Sequence, residues 1–285
     1  MRLRQYFGSR YYYYPKKMAH KALYKINHEG KELNWDNPTT LDEKIHILTA
    51  SYGKKEAYYA DKIQVREYVK KCGFEDMLPE VYGVWKNTEE IDLKKLPKKF
   101  VLKTNHASGG DFLVICKSKN SIDWSEKLKK IQECMKINFA KSYCEYHYKY
   151  IVPRIFAEEL LDDGIEDRMI DYKIHCFNGE PYCIQLISNR ASGNIEHNIY
   201  DFEWNELDFV TEGMRSDRKW KKPDSLSKMY EAAQKLSEPF QYARIDFYDV
   251  NGKAYFGEIT LSPAGGNLNY FNDKAQSKLG EMIQL

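Results

Sequence analysis

Apolar positions recur at helical spacing early in the chain, where Leu41, Ile45 and Leu48 fall about one turn apart and Asn37-Pro38 with Thr39 or Thr40 supplies a start signal. This spacing predicts helix over residues 16–72, with Tyr58 to Lys71 continuing as a further helix. The pattern then shortens into strand-like runs at 78–85, 100–103 and 112–116, followed by a charged helix over 124–139. Strands at 155–160, 171–177 and 182–187, a helix over 225–236 and a hairpin complete the series. Strands outnumber what a simple strand–helix alternation would give, which predicts an α+β fold with antiparallel sheets.

The hairpin is built from Arg244-Ile245-Asp246-Phe247-Tyr248, a turn at Asn251-Gly252, and Gly257-Glu258-Ile259-Thr260-Leu261. Side chains alternate between the two faces of a strand, so Ile245 and Phe247 turn to a core while Arg244, Asp246 and Tyr248 turn away from it. Glu258 and Thr260 share one face of the second strand, and Ile259 and Leu261 the other. A two-residue turn in an unbroken ladder would place Asp246 opposite Gly257 and split the carboxylates between faces. A three-residue loop of Val250-Asn251-Gly252 pairs Asp249 with Lys253 and Glu258 with Arg244, so this longer loop is predicted. Carboxylates gathered beside an arginine are costly to desolvate without a cation or phosphate between them, which makes the hairpin a candidate metal site. A surface hairpin with solvated charges is the alternative.

Composition adds limits. The chain has 285 residues, 42% of them hydrophobic, and a net charge of +2, which fits a folded domain and not a nucleic-acid binder. Eight Lys/Arg against Glu29 alone in the first 31 residues, with the run Tyr11 to Tyr14, suit either a packed basic helix or peripheral contact with an anionic membrane surface. No stretch approaches the ~20 apolar residues that span a bilayer, and no apolar signal-peptide core is present, so the expected location is the cytoplasm. Six cysteines, at 72, 116, 134, 144, 176 and 183, form no CxxC pair and are expected to be reduced, mostly buried thiols.

A second informative segment runs from Val101 to Asp111, where Lys103 ends an apolar strand and Ser108-Gly109-Gly110 follows. Small residues let backbone N–H groups approach phosphate oxygens, and the lysine adds a movable positive charge. The order is not that of a Walker A loop. A plain Ser-Gly-Gly hairpin turn remains the structural alternative.

Further motifs are Asn37-Pro38-Thr39-Thr40, Asp61-Lys62 with Val65-Arg66-Glu67-Tyr68-Val69, Ala157-Glu158-Glu159-Leu160-Leu161, Asp171-Tyr172-Lys173, Cys176-Phe177-Asn178-Gly179 and Tyr255-Phe256-Gly257-Glu258. Their joint order with the phosphate-loop segment and the hairpin resembles the ATP-grasp superfamily. Within it the chain is most similar to the TupA-like branch, named for teichuronopeptide synthesis and found among capsule and surface-polysaccharide genes. The resemblance runs from about residue 37 to the end.

It implies two α+β lobes with antiparallel sheets sandwiching ATP, with a helical N-terminal region over 1–57, a small lobe over 58–160 and a large lobe over 161–285. It also implies site roles. Lys62 and Lys103 would contact ATP phosphates, and Ser108, Gly109 and Gly110 would form a flap over them. Glu158, Glu159 and Leu161 would line the adenine, and Asp171 the ribose region. Lys173 would meet the γ-phosphate or an acyl phosphate, while Arg190 and Arg244 would hold the transferred phosphoryl group or an acidic substrate. Asp246, Glu258 and Thr260 would hold Mg²⁺. Thr260 stands where many superfamily members carry Asn, so one Mg²⁺ is expected before two. The implied reaction joins a uronic-acid sugar to an amino acid or other amine through an acyl phosphate. A sugar phosphotransferase using the same ATP site and a capsule glycosyltransferase are the alternatives.

Overall fold

A computed structural model describes residues 11–107, 112–162, 170–188 and 195–285. Helix α1 (Lys16–Asn27) is followed by a non-helical stretch, and α2 (Leu41–Ser51) then starts at Thr40. The Thr40 hydroxyl accepts from Glu43 N, and the Glu43 carboxylate accepts from Thr40 N, forming a reciprocal capping box. Next come α3 (Lys54–Ala60) and α4 (Val65–Lys71), not one continuous helix to Lys71. The break falls at buried Asp61, whose Oδ1 accepts from Ile63 N and Gln64 N at 2.9 and 3.2 Å. A short polar side chain here outcompetes the helical ladder for local donors. In α1 and the loop after it, Lys17 pairs with Asp36 and Lys25 with Glu32.

Four strands form the first sheet: β1 (Val81–Trp85), β2 (Phe100–Thr104), β3 (Val114–Cys116) and β4 (Ile155–Glu158), in the order β1-β4-β2-β3. Every pairing in it is antiparallel. Helix α5 (Trp124–Cys134) covers one face, with Ile131 packed into the cluster of Phe100, Leu102, Ile155 and Ala157. Its end at Cys134 is five residues short of the predicted Phe139, which begins a separate 3₁₀ turn.

The second sheet has five antiparallel strands in the order β7-β6-β5-β8-β9. These are β5 (Tyr172–Phe177), β6 (Glu180–Ser188), β7 (Glu196–Tyr200), β8 (Tyr242–Val250) and β9 (Lys253–Thr260). Helix α6 (Leu226–Ser237) and Val65 and Val69 of α4 share one core with Ile174, Ile184, Ile245 and Phe247. On the other side, Leu41, Ile45 and Leu48 of α2 and the C-terminal α7 (Asp273–Glu281) pack against Phe177, Cys183, Ile199 and Tyr242. The sheet is thus buried on both faces except where charged side chains gather near β9. The expected α+β class and antiparallel sheets are present. All six cysteines are free, five of them buried. Among the described residues, no helix is long and apolar enough to cross a membrane.

Candidate active site

The hairpin meets its requirement by a different device from the one expected. Val250 pairs with Lys253, so the turn is the two-residue Asn251-Gly252, with φ of 54° and 83°. Two left-handed residues give the turn that matches strand twist, and an Asn-Gly pair adopts it readily. The predicted three-residue loop does not form. Instead the register slips by one residue between Phe247↔Phe256 and Asp246↔Glu258, leaving Gly257 as an extra residue on β9. A Cβ at Gly257 would lie 3.0 Å from the Asp246 carbonyl oxygen, so this position suits glycine. The bulge restores the parity that a two-residue turn alone would lose. Ile245, Phe247, Ile259 and Leu261 are buried in the core, while Asp246 opposes Glu258 and Arg244 opposes Thr260. Glu258 therefore faces Asp246 directly and not Arg244.

The charged residues form a continuous row from β5 across β8 to β9. Arg244 grips Asp246 with two hydrogen bonds of 2.7 Å, Nε to Oδ1 and Nη2 to Oδ2. Lys173 donates to Asp246 Oδ2 from the neighbouring strand and lies 3.4 Å from Asp171. The Arg244 Nη2 also donates to the Thr260 hydroxyl at 3.2 Å and approaches Glu258 at 3.5 Å. The Thr260 hydroxyl is 3.2 Å from Glu258 Oε1. Glu258 Oε2 meets Lys62 at 3.0 Å, and the same ammonium donates to Ala107 O at 2.9 Å. Asn105 fixes that crossing, since its amide donates to Asp61 and Val152 O while its backbone carbonyl accepts from Lys62 N.

Burial opposes ionisation of Glu258, yet Lys62, Arg244 and Lys173 outweigh it and hold the carboxyl well below the usual carboxylate range. Burial likewise disfavours the Arg244 cation, and Asp246 and Glu258 reverse the effect, raising its pKa. Tyr248 completes the row. Burial and then Asp171, to which it hydrogen-bonds, push its phenol well above its ordinary value.

A second group sits on the first sheet. Lys103 on β2 meets Glu158 at the end of β4 at 2.5 Å, and Arg66 of α4 approaches the same carboxylate at 4.0 Å. Val84 and Ile115, exposed on β1 and β3, share this face, since Val84 pairs with Phe156 and Ile115 with Val101 in register with Lys103 and Glu158. The face opposite α5 therefore carries Val84, Val101, Ile115 and Phe156 with one lysine and one glutamate among them. Glu159 joins β1 through its backbone N–H to Glu80 O at 2.8 Å, and Leu161 is half-buried beyond it. The segment from Asp61 to Arg66 links the two groups, sending Lys62 to one and Arg66 to the other.

Ser108, Gly109, Gly110 and Arg190 lie outside the described residues. Several contributors carry no sequence signal of their own. Arg66 lies within a quoted motif without an assigned role, and Asn105 acts through tertiary contacts. His106, beside the phosphate-loop segment, is buried with its ring edge-on to Phe139.

Hard oxygen donors on one sheet face suit a magnesium ion. Glu258 is about one-third exposed and paired with Lys62, and the Thr260 hydroxyl is beside it. A carboxylate offers about four lone-pair sites, of which Arg244 and Lys173 use three on Asp246, leaving one. The donor set therefore fits a single divalent cation with Glu258 as its principal ligand. Among the described residues, no three His, Cys, Asp or Glu side chains gather in metal-holding geometry.

Solved structures with a similar arrangement include a D-alanine–D-alanine ligase from Bacillus anthracis, with 14% identity, a TM-score of 0.46, and 83% of this chain and 65% of that chain covered. An ADP complex of N5-carboxyaminoimidazole ribonucleotide synthetase matches with 12% identity, a TM-score of 0.45, and 73% and 46% coverage. The ATP-grasp ligase PsnB with a minimal precursor matches with 14% identity, a TM-score of 0.42, and 84% and 66% coverage. The chain spans two thirds or less of the length of each. No curated protein matches its sequence. The model of the TupA-like ATP-grasp family matches residues 43–284, and the chain belongs to that family.

Proposed function

We propose that this protein is an ATP-dependent carboxylate–amine ligase that activates a carboxylate as its acyl phosphate and joins it to an amine. The row of alternating cations and oxygen donors from Lys173 to Lys62 carries this reading. Phosphoryl transfer needs positive charge spread over the moving group and rigid placement of its partners, and the buried Arg244–Asp246–Lys173 unit supplies both.

On the first sheet, Val84, Val101 and Ile115 offer an apolar face to a purine, and Lys103 exchanges Glu158 for a phosphate. Lys62 makes the same exchange from Glu258, freeing that carboxylate. Glu258, with Thr260 and the remaining site on Asp246, would hold Mg²⁺. When bound, that ion neutralises the phosphate oxygens and orients them. Lys173 and Arg244 then face the transferred phosphoryl group, and Asp246 keeps both cations in place as negative charge moves past. Asp171, held by Tyr248, borders the same end as a ribose contact. Ser108, Gly109 and Gly110 as a flap, and Arg190 as a second guanidinium, complete the proposal.

The family's tie to teichuronopeptide and capsule synthesis supports a uronic-acid sugar as carboxylate and an amino acid or other amine as nucleophile. The test is to incubate the protein with ATP, Mg²⁺, uronic acids and a panel of amines while following ADP, phosphate and product mass. ADP and phosphate in equal amounts with an amide product support the ligase. ADP without free phosphate, from a phosphorylated sugar, or UDP from a sugar nucleotide would overturn it.

A further inference from the structure

Glu145 is a carboxylate that the ATP-binding row leaves unused. It precedes a 3₁₀ turn, Tyr146–Tyr150, and follows Cys144, a non-glycine residue at φ 56°. Such a conformation is costly for an L-residue and persists only where packing enforces it. Here Cys144 is fully buried among Ala19, Leu23 and Tyr146. The strained turn directs Glu145 to the loop that leaves β9, where the Ser262 hydroxyl donates to its Oε1 at 2.5 Å. Ser262 lies two residues beyond Thr260 and four beyond Glu258. Tyr143 closes the same loop, since a Cβ on Gly265 would lie 2.5 Å from its ring.

The surroundings of Glu145 differ from those of Asp246 and Glu258. Asp246 and Glu258 are each matched by cations, whereas burial pushes the Glu145 carboxyl up to about 7, opposed among the described residues by the Ser262 hydroxyl. The groups facing it are Ser262 from the loop after β9, and Cys144 and Tyr148 from its own segment. Tyr148 feels Glu145, Glu258 and Arg244 together, which sets Glu145 at the margin of the charged row. A half-buried carboxylate whose side-chain partner among the described residues is a neutral hydroxyl, beside a site read as an amide-forming centre, is matched to a cationic ligand.

We propose that Glu145 receives the ammonium group of the incoming amine and takes its proton, a role that rests on the ligase reading above. The balance is direct. The ammonium gives one proton to the Glu145 carboxylate, and the neutral nitrogen forms a C–N bond to the acyl phosphate carbon. The C–O bond to phosphate breaks with its electron pair on the departing phosphate. The nitrogen's second proton leaves with that phosphate, and Glu145 returns its own to solvent.

The experiment compares the wild-type chain with Glu145→Gln, given ATP, Mg²⁺ and galacturonate with either hydroxylamine or an amino acid. Hydroxylamine is largely uncharged at neutral pH and traps an acyl phosphate without a base. In the variant the ratio of amide to hydroxamate falls by about 10²–10⁴, the size of a lost general base, and the rise in amide formation near pH 7 disappears. An unchanged ratio and pH profile overturn the proposal. Wild-type protein that makes neither hydroxamate nor ADP refutes the ligase reading instead. A substrate-free arm follows isotope-labelled glutamate carboxyl signals by NMR, with Glu145 assigned from the variant's missing signal. Titration at about 7 is expected, moving higher in Ser262→Ala because the hydroxyl favours the ionised form. A Glu145 midpoint in the ordinary carboxylate range overturns the assignment whatever the substrate.

Discussion

On the four-stranded sheet a lysine and a glutamate meet at a face open to solvent, whereas on the five-stranded sheet a lysine and an aspartate meet inside the protein. The Lys103 and Glu158 side chains are 23% and 12% exposed, and those of Lys173 and Asp246 are 8% and 3%. The first pair is the more solvated and should part at lower cost, as the proposed exchange with a phosphate requires, since ion pairs weaken as solvent reaches them. The second resists parting, because removing one partner leaves a charge stranded in a poor solvent for it. The same residue types thus stand in a more solvated pair on one sheet and a buried pair on the other, which is why exchange is proposed for the first and a scaffold role for the second. In the third pair, Lys62 at 16% lies between the two other lysines, while Glu258 at 33% is the most exposed of the three acids.

The sharpest way to break this contrast is Asp246→Asn. The amide keeps the shape but strands Arg244 and Lys173, so the fold should lose about 3–5 kcal/mol in urea unfolding. A loss under about 1 kcal/mol would show that the buried row is not scaffold. Gly257→Ala comes next. Its Cβ meets the Asp246 carbonyl oxygen at 3.0 Å, and relieving that contact should cost about 1–3 kcal/mol and move Glu258 out of register. Full stability and turnover in this variant would mean that the bulge is incidental.

Glu258→Gln probes the third pair. Its loss of stability should be smaller than that of Asp246→Asn, because Glu258 is one-third exposed and solvent screens its charge, while Mg²⁺-dependent ATP turnover falls by about 10³ or more, comparable to losing a main electrostatic group. The variant also sharpens the acid limb. Glu258 has a depressed folded pKa, so its stabilisation is complete above the unfolded carboxylate value and disappears as pH falls through the folded one. Glu258→Gln should therefore flatten the fall of stability in acid, and an unaltered slope would show that Glu258 is not held by its cations.

Much of this contrast is legible in the chain. The alternation of Arg244, Ile245, Asp246 and Phe247 separates core from site, and Thr40 with Glu43 marks the start of α2. The register is not legible, because a longer loop and a bulge both restore the parity of β9 and differ only in where one residue is added. Strand β7 escapes pattern reading because Glu196, His197 and Asn198 are polar, and the buried His197 and Asn198 are satisfied by Gln185 and Ser216 outside the strand. Helix α7 escapes because its buried face consists of Ala275, Gln276, Leu279 and Gly280, a weak apolar stripe. Glu145 becomes visible only when Ser262, more than a hundred residues later, is placed against it.

The smallest change in stability is expected at Lys103→Met. Lys103 keeps its stem over the Phe156 ring, with Nζ 5.3 Å from the centroid, and methionine can retain that packing while discarding the charge. The fold should then shift by less than about 1 kcal/mol. Nucleotide binding should suffer more, because Lys103 is proposed to exchange Glu158 for a phosphate. A tenfold or greater rise in the KM for ATP is expected, about 1.4 kcal/mol, with Glu158 left facing Arg66 alone. The two numbers must separate for the comparison to hold. If Lys103→Met destabilises the fold as much as Asp246→Asn, the open sheet is also scaffold, and an unchanged KM would place the nucleotide elsewhere.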